Sequence, residues 1–197
     1  ENFNVDGTAS VGATLPGLSP ETQYFYELYA EKSSDDTENE TSSEGSFYTL
    51  SEVFPNAIAD FTTDNITNDE IQLDWTASSS TNTDGYIILY ATGATAPDPD
   101  GILELGVLPG NQTFANKIVI NNDGTESTTL SSLAAATQYS FSIIPFNNDG
   151  ANTEETTNYN LLVYSSVSSY TLATEPDANP TGLTYESKLD ESVTISL

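Results

Sequence analysis

The chain contains no cysteine, no histidine and no arginine, and its only cationic side chains are Lys32, Lys117 and Lys188. Each absence closes a class of chemistry. Without thiol or imidazole there are no disulfides, thiolate zinc sites, iron–sulfur clusters, or Ser-His and Cys-His nucleophile pairs. Three lysines against 30 acidic residues give a net charge of -27, and no basic stripe for a nucleic acid can be built from them. Long apolar runs are missing too, so no segment reaches the roughly 20 residues of a membrane span. Glu1 to Asp6 lack the basic-then-apolar layout of a signal peptide. The expectation is a soluble chain that inserts in no membrane and whose export signal, if it has one, lies outside these residues.

Leu, Ile, Val and Phe make up about 22% of the residues, only just above the level below which highly charged chains stay unfolded. Pattern therefore has to decide, and the 11 Tyr and 8 Phe favour pleated strands. The hydrophobic period is two. Tyr24, Tyr26, Leu28 and Ala30 alternate with Phe25, Glu27 and Tyr29, and Tyr139, Phe141, Ile143 and Pro145 alternate with Ser140, Ser142 and Ile144. Ile71, Leu73 and Trp75, and Tyr86, Ile88 and Tyr90, repeat the pattern. These read as half-buried strands, and Pro145, lacking an N–H, predicts a local break or bulge. Asn/Asp/Gly clusters at 121–124 and 147–150 read as turns. The alanine-rich stretch Leu133 to Thr137 reads as a corner, and helix is essentially absent.

The sequence also repeats itself. Leu15, Leu18, Thr22, Gln23 and Tyr24 recur 115 positions later as Leu130, Leu133, Thr137, Gln138 and Tyr139, and Tyr48-Thr49-Leu50 recurs as Tyr170-Thr171-Leu172. Each triplet is followed by a Pro-bearing stretch, at Pro55 and at Pro180.

These residues resemble the fibronectin type III family. Glu70-Ile71-Gln72-Leu73-Asp74-Trp75 is similar to its strand B with the buried Trp, and Gly85 to Tyr90 to its strand C. Leu133 with Tyr139, and Leu18 with Tyr24, match its tyrosine corner, in which the ring fills the core and the hydroxyl reaches upstream backbone. Asn147-Asn148-Asp149-Gly150 closes strand F as Asn-x-x-Gly. The first repeat departs, with Lys32 and Asp35 at the Asn and Gly places. The resemblance implies an all-β fold: tandem fibronectin type III-like, immunoglobulin-like β-sandwiches, one complete and two partial. The expected boundaries are 1–52 for the C-terminal part of one domain, 53–174 for a complete domain, and 175–197 for the first strands of a further one. A half sandwich leaves an apolar face uncovered. The partial ends are expected to belong to a longer array rather than to exchange strands between subunits, because head and tail together still lack strand C.

Chemistry-bearing residues are sparse. Acidic pairs such as Asp35-Asp36 and Glu154-Glu155 lie in polar loops with no sign of a buried acid, so no catalytic residue is assigned and the chain is expected not to be an enzyme. No cofactor is expected, with calcium left open. Hard cations take carboxylate and carbonyl oxygens, and Asp98, Asp100, Asp123 and Asp149 sit in Asp-Gly turns with further acids nearby, although Asp-Gly is first of all a turn sequence. Phe25, Tyr29, Ile144 and Phe146 point away from the expected core. They could form a ligand platform or an inter-subunit patch, but the long loops Ala91 to Ala115 and Asn148 to Leu162 are the favoured cover, and these loops are the natural places for binding. Asn39, Asn65 and Asn111 are acceptor triplets for glycans.

The resemblance and the composition together imply a secreted or cell-surface protein of bacterial type. Its expected role is a structural or adhesive repeat segment, whose partners are neighbouring repeats, identical subunits, or surface glycans and proteins. The alternative is a spacer in a large secreted polysaccharide-degrading enzyme. The charge predicts stability that rises with salt.

Overall fold

The computed structural model describes residues 14–29, 31–32, 37–38, 42–52, 57–78, 83–121, 126–178, 181–182, 184–189 and 192–196. In chain order the strands are β1 (Gln23–Leu28), β2 (Glu31–Lys32), β3 (Thr37–Glu38), β4 (Ser43–Tyr48), β5 (Thr62–Asp64), β6 (Ile71–Asp74), β7 (Gly85–Thr92) and β8 (Lys117–Asn121). There follow β9 (Ser127–Leu130), β10 (Gln138–Asn147), β11 (Asn158–Tyr159), β12 (Ser165–Tyr170), β13 (Thr184–Leu189) and β14 (Ser192–Ser196). Among the described residues helix is limited to a 3₁₀ turn at Pro109–Asn111 and one α turn, α1 (Thr153–Thr156). The chain is all-β, as its two-residue periodicity requires.

Residues 57–172 form a two-sheet sandwich. A three-stranded sheet in the order β5-β6-β9 faces a sheet in the order β11-β10-β7-β8, on which β12 also pairs with β10. Every pairing is antiparallel. The space between is filled by the alternate residues read from sequence: Ile71, Leu73 and Trp75 from one sheet, Tyr86, Ile88, Tyr139, Phe141 and Ile143 from the other. Trp75 and Tyr86 meet edge to face, with ring centroids 5.4 Å apart.

Strand β10 corrects one expectation. Pro145 neither breaks nor bulges it: the register with β7 runs unbroken from Tyr139–Thr92 to Phe146–Gly85. The break falls in the partner on the other edge, where β12 pairing stops at Ile143 and β11 pairing begins at Phe146. The Gly93 amide donates to the Gln138 carbonyl across β7, so even-numbered residues of β10 turn their backbone groups to β7 and odd-numbered ones, Pro145 included, to the far edge. The missing N–H thus faces the gap between two partners.

Outside this sandwich, β1 pairs with β4, β2 with β3, and β13 with β14, each as a separate two-stranded ribbon. In β1 the half-buried expectation fails on the core side: Tyr26 is 49% and Leu28 64% exposed. Among the described residues no second sheet packs on that face. Tyr24 still stacks on Phe47 at 5.9 Å, and the Tyr26 ring lies over Gly45, its cross-strand partner, where any Cβ would collide with it.

Candidate functional site

The outer face of the β7–β10 sheet carries a second buried apolar cluster. Ile87, Leu89, Ile144 and Phe146 point away from the main core, yet all four are buried. Two long loops cover them. Leu103, with Ile102 and Phe114, comes from the loop between β7 and β8; Tyr159, with Leu161 and Tyr164, comes from the segment between β10 and β12. The expectation that loops cover Ile144 and Phe146 therefore holds. Phe25 and Tyr29 differ, standing 77% and 47% exposed.

Polar side chains fasten the loops. Ser140 and Ser142, read from sequence as the solvent face of β10, are fully buried, and their hydroxyls donate to the carbonyls of Gly93 and Pro97. Buried Gln112 donates from Nε2 to the Glu104 carbonyl at 2.8 Å and the Val107 carbonyl at 3.1 Å, while its Oε1 accepts the Glu104 amide at 2.9 Å. The Tyr159 hydroxyl donates to the Val107 carbonyl at 2.6 Å, which joins the two loops; burial pushes its pKa well up despite the Gln112 contact. Lys117 caps the arrangement by donating its ammonium to the carbonyls of Gln112 and Phe114. Sequence reading missed Ser140 and Ser142, because a polar residue at a period-two position signals solvent unless a loop carbonyl waits for it, and Gln112, because a polar loop residue carries no sign of burial.

The described calcium candidates, Asp98, Asp100 and Asp149, occupy two separate turns. Asp98 and Asp100 are exposed, and Asp98 Oδ1 accepts the Asp100 amide at 3.2 Å. Asp98 also faces Tyr164, whose hydroxyl is pushed up by burial first, then by the charge and hydrogen bond of Asp98. Asp149 is spent on its own loop: Oδ1 accepts the amides of Ala151 and Asn152 and the Thr156 hydroxyl, and Oδ2 accepts Asn152 Nδ2 at 2.9 Å. Burial alone would raise its pKa; the bonds from Asn152, Ala151 and Thr156 outweigh that and hold it below the ordinary 3.8. Asp123 lies outside the described residues, as do Asn39 and the Pro-bearing stretches at 53–56 and 179–180. Among the described residues no three acidic side chains gather closely enough to hold a metal ion. Of the other glycan triplets, Asn65 and Asn111 are both exposed.

Two shallow hollows lie on this unit. One, of about 400 Å³, is lined by Gly101, Ile102, Thr113, Phe114, Ala115 and Asn116. The other, of about 310 Å³, brings Asp84, Asn111, Asn121 and Asn148 around Val119 and Phe146. Neither gathers a nucleophile, a base and an orienting partner.

The corners at the far end of the sheets are built alike. Tyr139 Oη accepts the Ala134 amide at 3.0 Å, and Thr171 Oγ1 donates to the Ala134 carbonyl at 2.7 Å. In the first segment Tyr24 Oη accepts the Ser19 amide at 2.9 Å, and Thr49 Oγ1 donates to the Ser19 carbonyl at 2.6 Å. Ala136 and Glu21 hold the same left-handed backbone, at φ 51° and 54°.

The fibronectin type III domain model matches residues 56–161, more than half of the chain. The chain belongs to the fibronectin type III family. Such domains are generally extracellular structural or adhesion modules and are typically non-catalytic. No curated protein matches the chain. Among solved structures, the FN1–FN3 domains of chicken CNTN1 are similar at 16% identity and a TM-score of 0.48, over 79% of this chain and 44% of that one. The chain thus spans less than half the length of that structure. The FN3 domain of human collagen XX is similar at 18% identity and a TM-score of 0.38, over 60% and 95% of the two chains. The fn3 domain of human contactin 1 is similar at 13% identity and 0.44, over 67% and 90%. No helix among the described residues is long and apolar enough to cross a membrane.

Proposed function

We propose that the chain is a segment of a non-catalytic, extracellular structural or adhesive array, exposed on the surface of a bacterial cell or built into a surface filament. Residues 53–174 are one complete module, 1–52 the C-terminal part of the module before it, and 175–197 the first strands of the module after it. One observation carries this reading: the corner of Ser19, Tyr24 and Thr49 repeats that of Ala134, Tyr139 and Thr171 bond for bond. Local sequence alone does not force such a match between segments 115 residues apart, whereas a repeated module does. Partners in this role are neighbouring repeats or identical subunits, with surface glycans or proteins as ligands of the loops, and no cofactor takes part. The uniform acidity suits a surface exposed to salt.

Antibodies raised against the chain test the role when applied to intact cells of its source, together with the mass of the polypeptide they recover. Surface labelling and a polypeptide far heavier than 21.1 kDa that is built of further repeats are expected. Labelling only after permeabilisation would contradict the proposal, and co-purifying polysaccharide hydrolysis would favour the spacer role in a secreted enzyme.

A further inference from the structure

The junction after the first corner is held from both sides through a single peptide group. The Leu50 carbonyl accepts the Glu21 amide of the first segment at 3.4 Å, and the Ser51 amide donates to the Thr156 carbonyl of the central sandwich at 2.9 Å. Carbonyl and amide here belong to one planar unit, Leu50–Ser51, so no rotatable backbone bond separates the two attachments. The Ser51 carbonyl is held as well, by the side-chain amide of Asn158, and Ser51 is 3% exposed. Leu50 lies against the loop between β7 and β8, where a Cβ built on Gly106 would stand 3.7 Å from its Cδ2.

The receiving surface is built without the linker. Asp149 gathers Ala151, Asn152 and Thr156 and so winds α1. Thr156 ends that turn, and its carbonyl is one of the groups a helix C-terminus leaves without an internal donor. Asn158 is set by pairing with Asn147 across β10–β11 and by accepting the Tyr159 amide on Oδ1, which leaves Nδ2 for the linker. The repeat supplies a contrast. The Leu172 carbonyl accepts the Ala136 amide at 2.9 Å, as Leu50 accepts Glu21, but residues 173–178, from the counterpart of Ser51 onward, are all exposed.

We infer that the 149–158 segment of the central sandwich is a clamp for the incoming linker, fixing the first unit's orientation, while the joint at 173–178, for which no such clamp stands among the described residues, is the one that bends. This rests on the reading of residues 1–52 as part of a module. The surface it names is an intrachain binding site whose ligand is the Leu50–Ser51 peptide, and in an array it sets where stiffness lies.

Amide exchange and residual dipolar couplings on the ¹⁵N-labelled 197-residue chain test it. One alignment tensor is expected to fit residues 14–50 and 57–172, with the Ser51 amide protected. Asn158→Asp keeps the acceptor for Tyr159 and turns an oxygen toward the Ser51 carbonyl; Ser51→Pro deletes the donor to Thr156 while changing no residue of the sandwich itself. In each the tensors are expected to separate, and in Asn158→Asp the Ser51 amide is expected to exchange about tenfold faster, the scale of one buried hydrogen bond. Protected Ser19 with an unprotected Ser51 in the parent chain, or tensors that stay common in both variants, would overturn the clamp. An unprotected Ser19 in the parent chain would instead overturn the module reading beneath it.

Discussion

Tyr24 and Tyr139 hold the same corner: each phenol oxygen accepts the amide five residues upstream, from Ser19 at 2.9 Å and from Ala134 at 3.0 Å. The bond closes a left-handed turn that a non-glycine residue, Glu21 or Ala136, adopts at a steric cost. Removing the hydroxyl leaves a backbone donor without its partner. Tyr139→Phe is expected to destabilise the central sandwich by about 1–2 kcal/mol in urea unfolding, at an unchanged m value.

The loop layer makes an equally direct prediction. Leu103 belongs to a long connection but is buried among Ile87, Leu89, Ile144 and Phe146. Leu103→Ala is expected to cost about 2–4 kcal/mol, the price of a core truncation, when followed by chemical denaturation. A loss within about 0.5 kcal/mol, typical of a surface site, would show the layer to be loosely held.

Much of this was legible in the residues, and the part that was not has a physical cause. Period-two alternation gave the inner core around Trp75, Tyr86 and Tyr139, and the apolar residues on the other face, Ile144 and Phe146, announced that something covers them. Ser140 and Ser142 concealed how completely it does. A serine looks the same in sequence whether its hydroxyl meets water or the carbonyl of Gly93 or Pro97, and that choice is made by a loop folding back from 45 residues or more away. Pro145 misled for a related reason: the direction its missing N–H faces depends on register, which pattern alone does not fix. Asp149 reads in sequence first as a turn residue, with an ion left open, and pattern does not show that four bonds from its own loop reach its carboxylate.

Gly85 is required by its neighbours rather than by its torsions. It pairs with Phe146, and a Cβ there would stand 2.7 Å from that ring and closer still to the Ile120 carbonyl oxygen of β8. A ring can swing aside, but a paired edge strand moves only with its ladder. Gly85→Ala is expected to cost about 1–3 kcal/mol, read as a lowered melting temperature.

Asp149 sets an acid-side dependence. Its folded pKa lies below the unfolded 3.8, so its contribution is complete above that value and is lost as pH falls through the folded one. Carboxyl ¹³C NMR titration is expected to place its midpoint below 3.8, and Asp149→Asn to remove that share of the acid sensitivity. Because its oxygens are already occupied, millimolar calcium is expected to leave the melting temperature unchanged; a rise abolished by Asp149→Asn would assign it an ion.

Salt acts on the whole surface. With 30 acidic residues and three lysines, of which Lys117 is committed to carbonyls, self-repulsion opposes the compact state. Raising the salt from low to half-molar shortens the screening length to a few ångströms, about 4 Å, and is expected to raise the melting temperature. An unchanged value would make the acidity a matter of solubility alone.

The repeated module is tested most directly by amide exchange at Ser19 and Ala134 in the intact chain and in Tyr24→Phe and Tyr139→Phe. Both amides are expected to be protected in the parent, each variant releasing only its own. Exchange of Ser19 at the unfolded rate in the parent, with Ala134 protected, would contradict a second folded unit and with it the array.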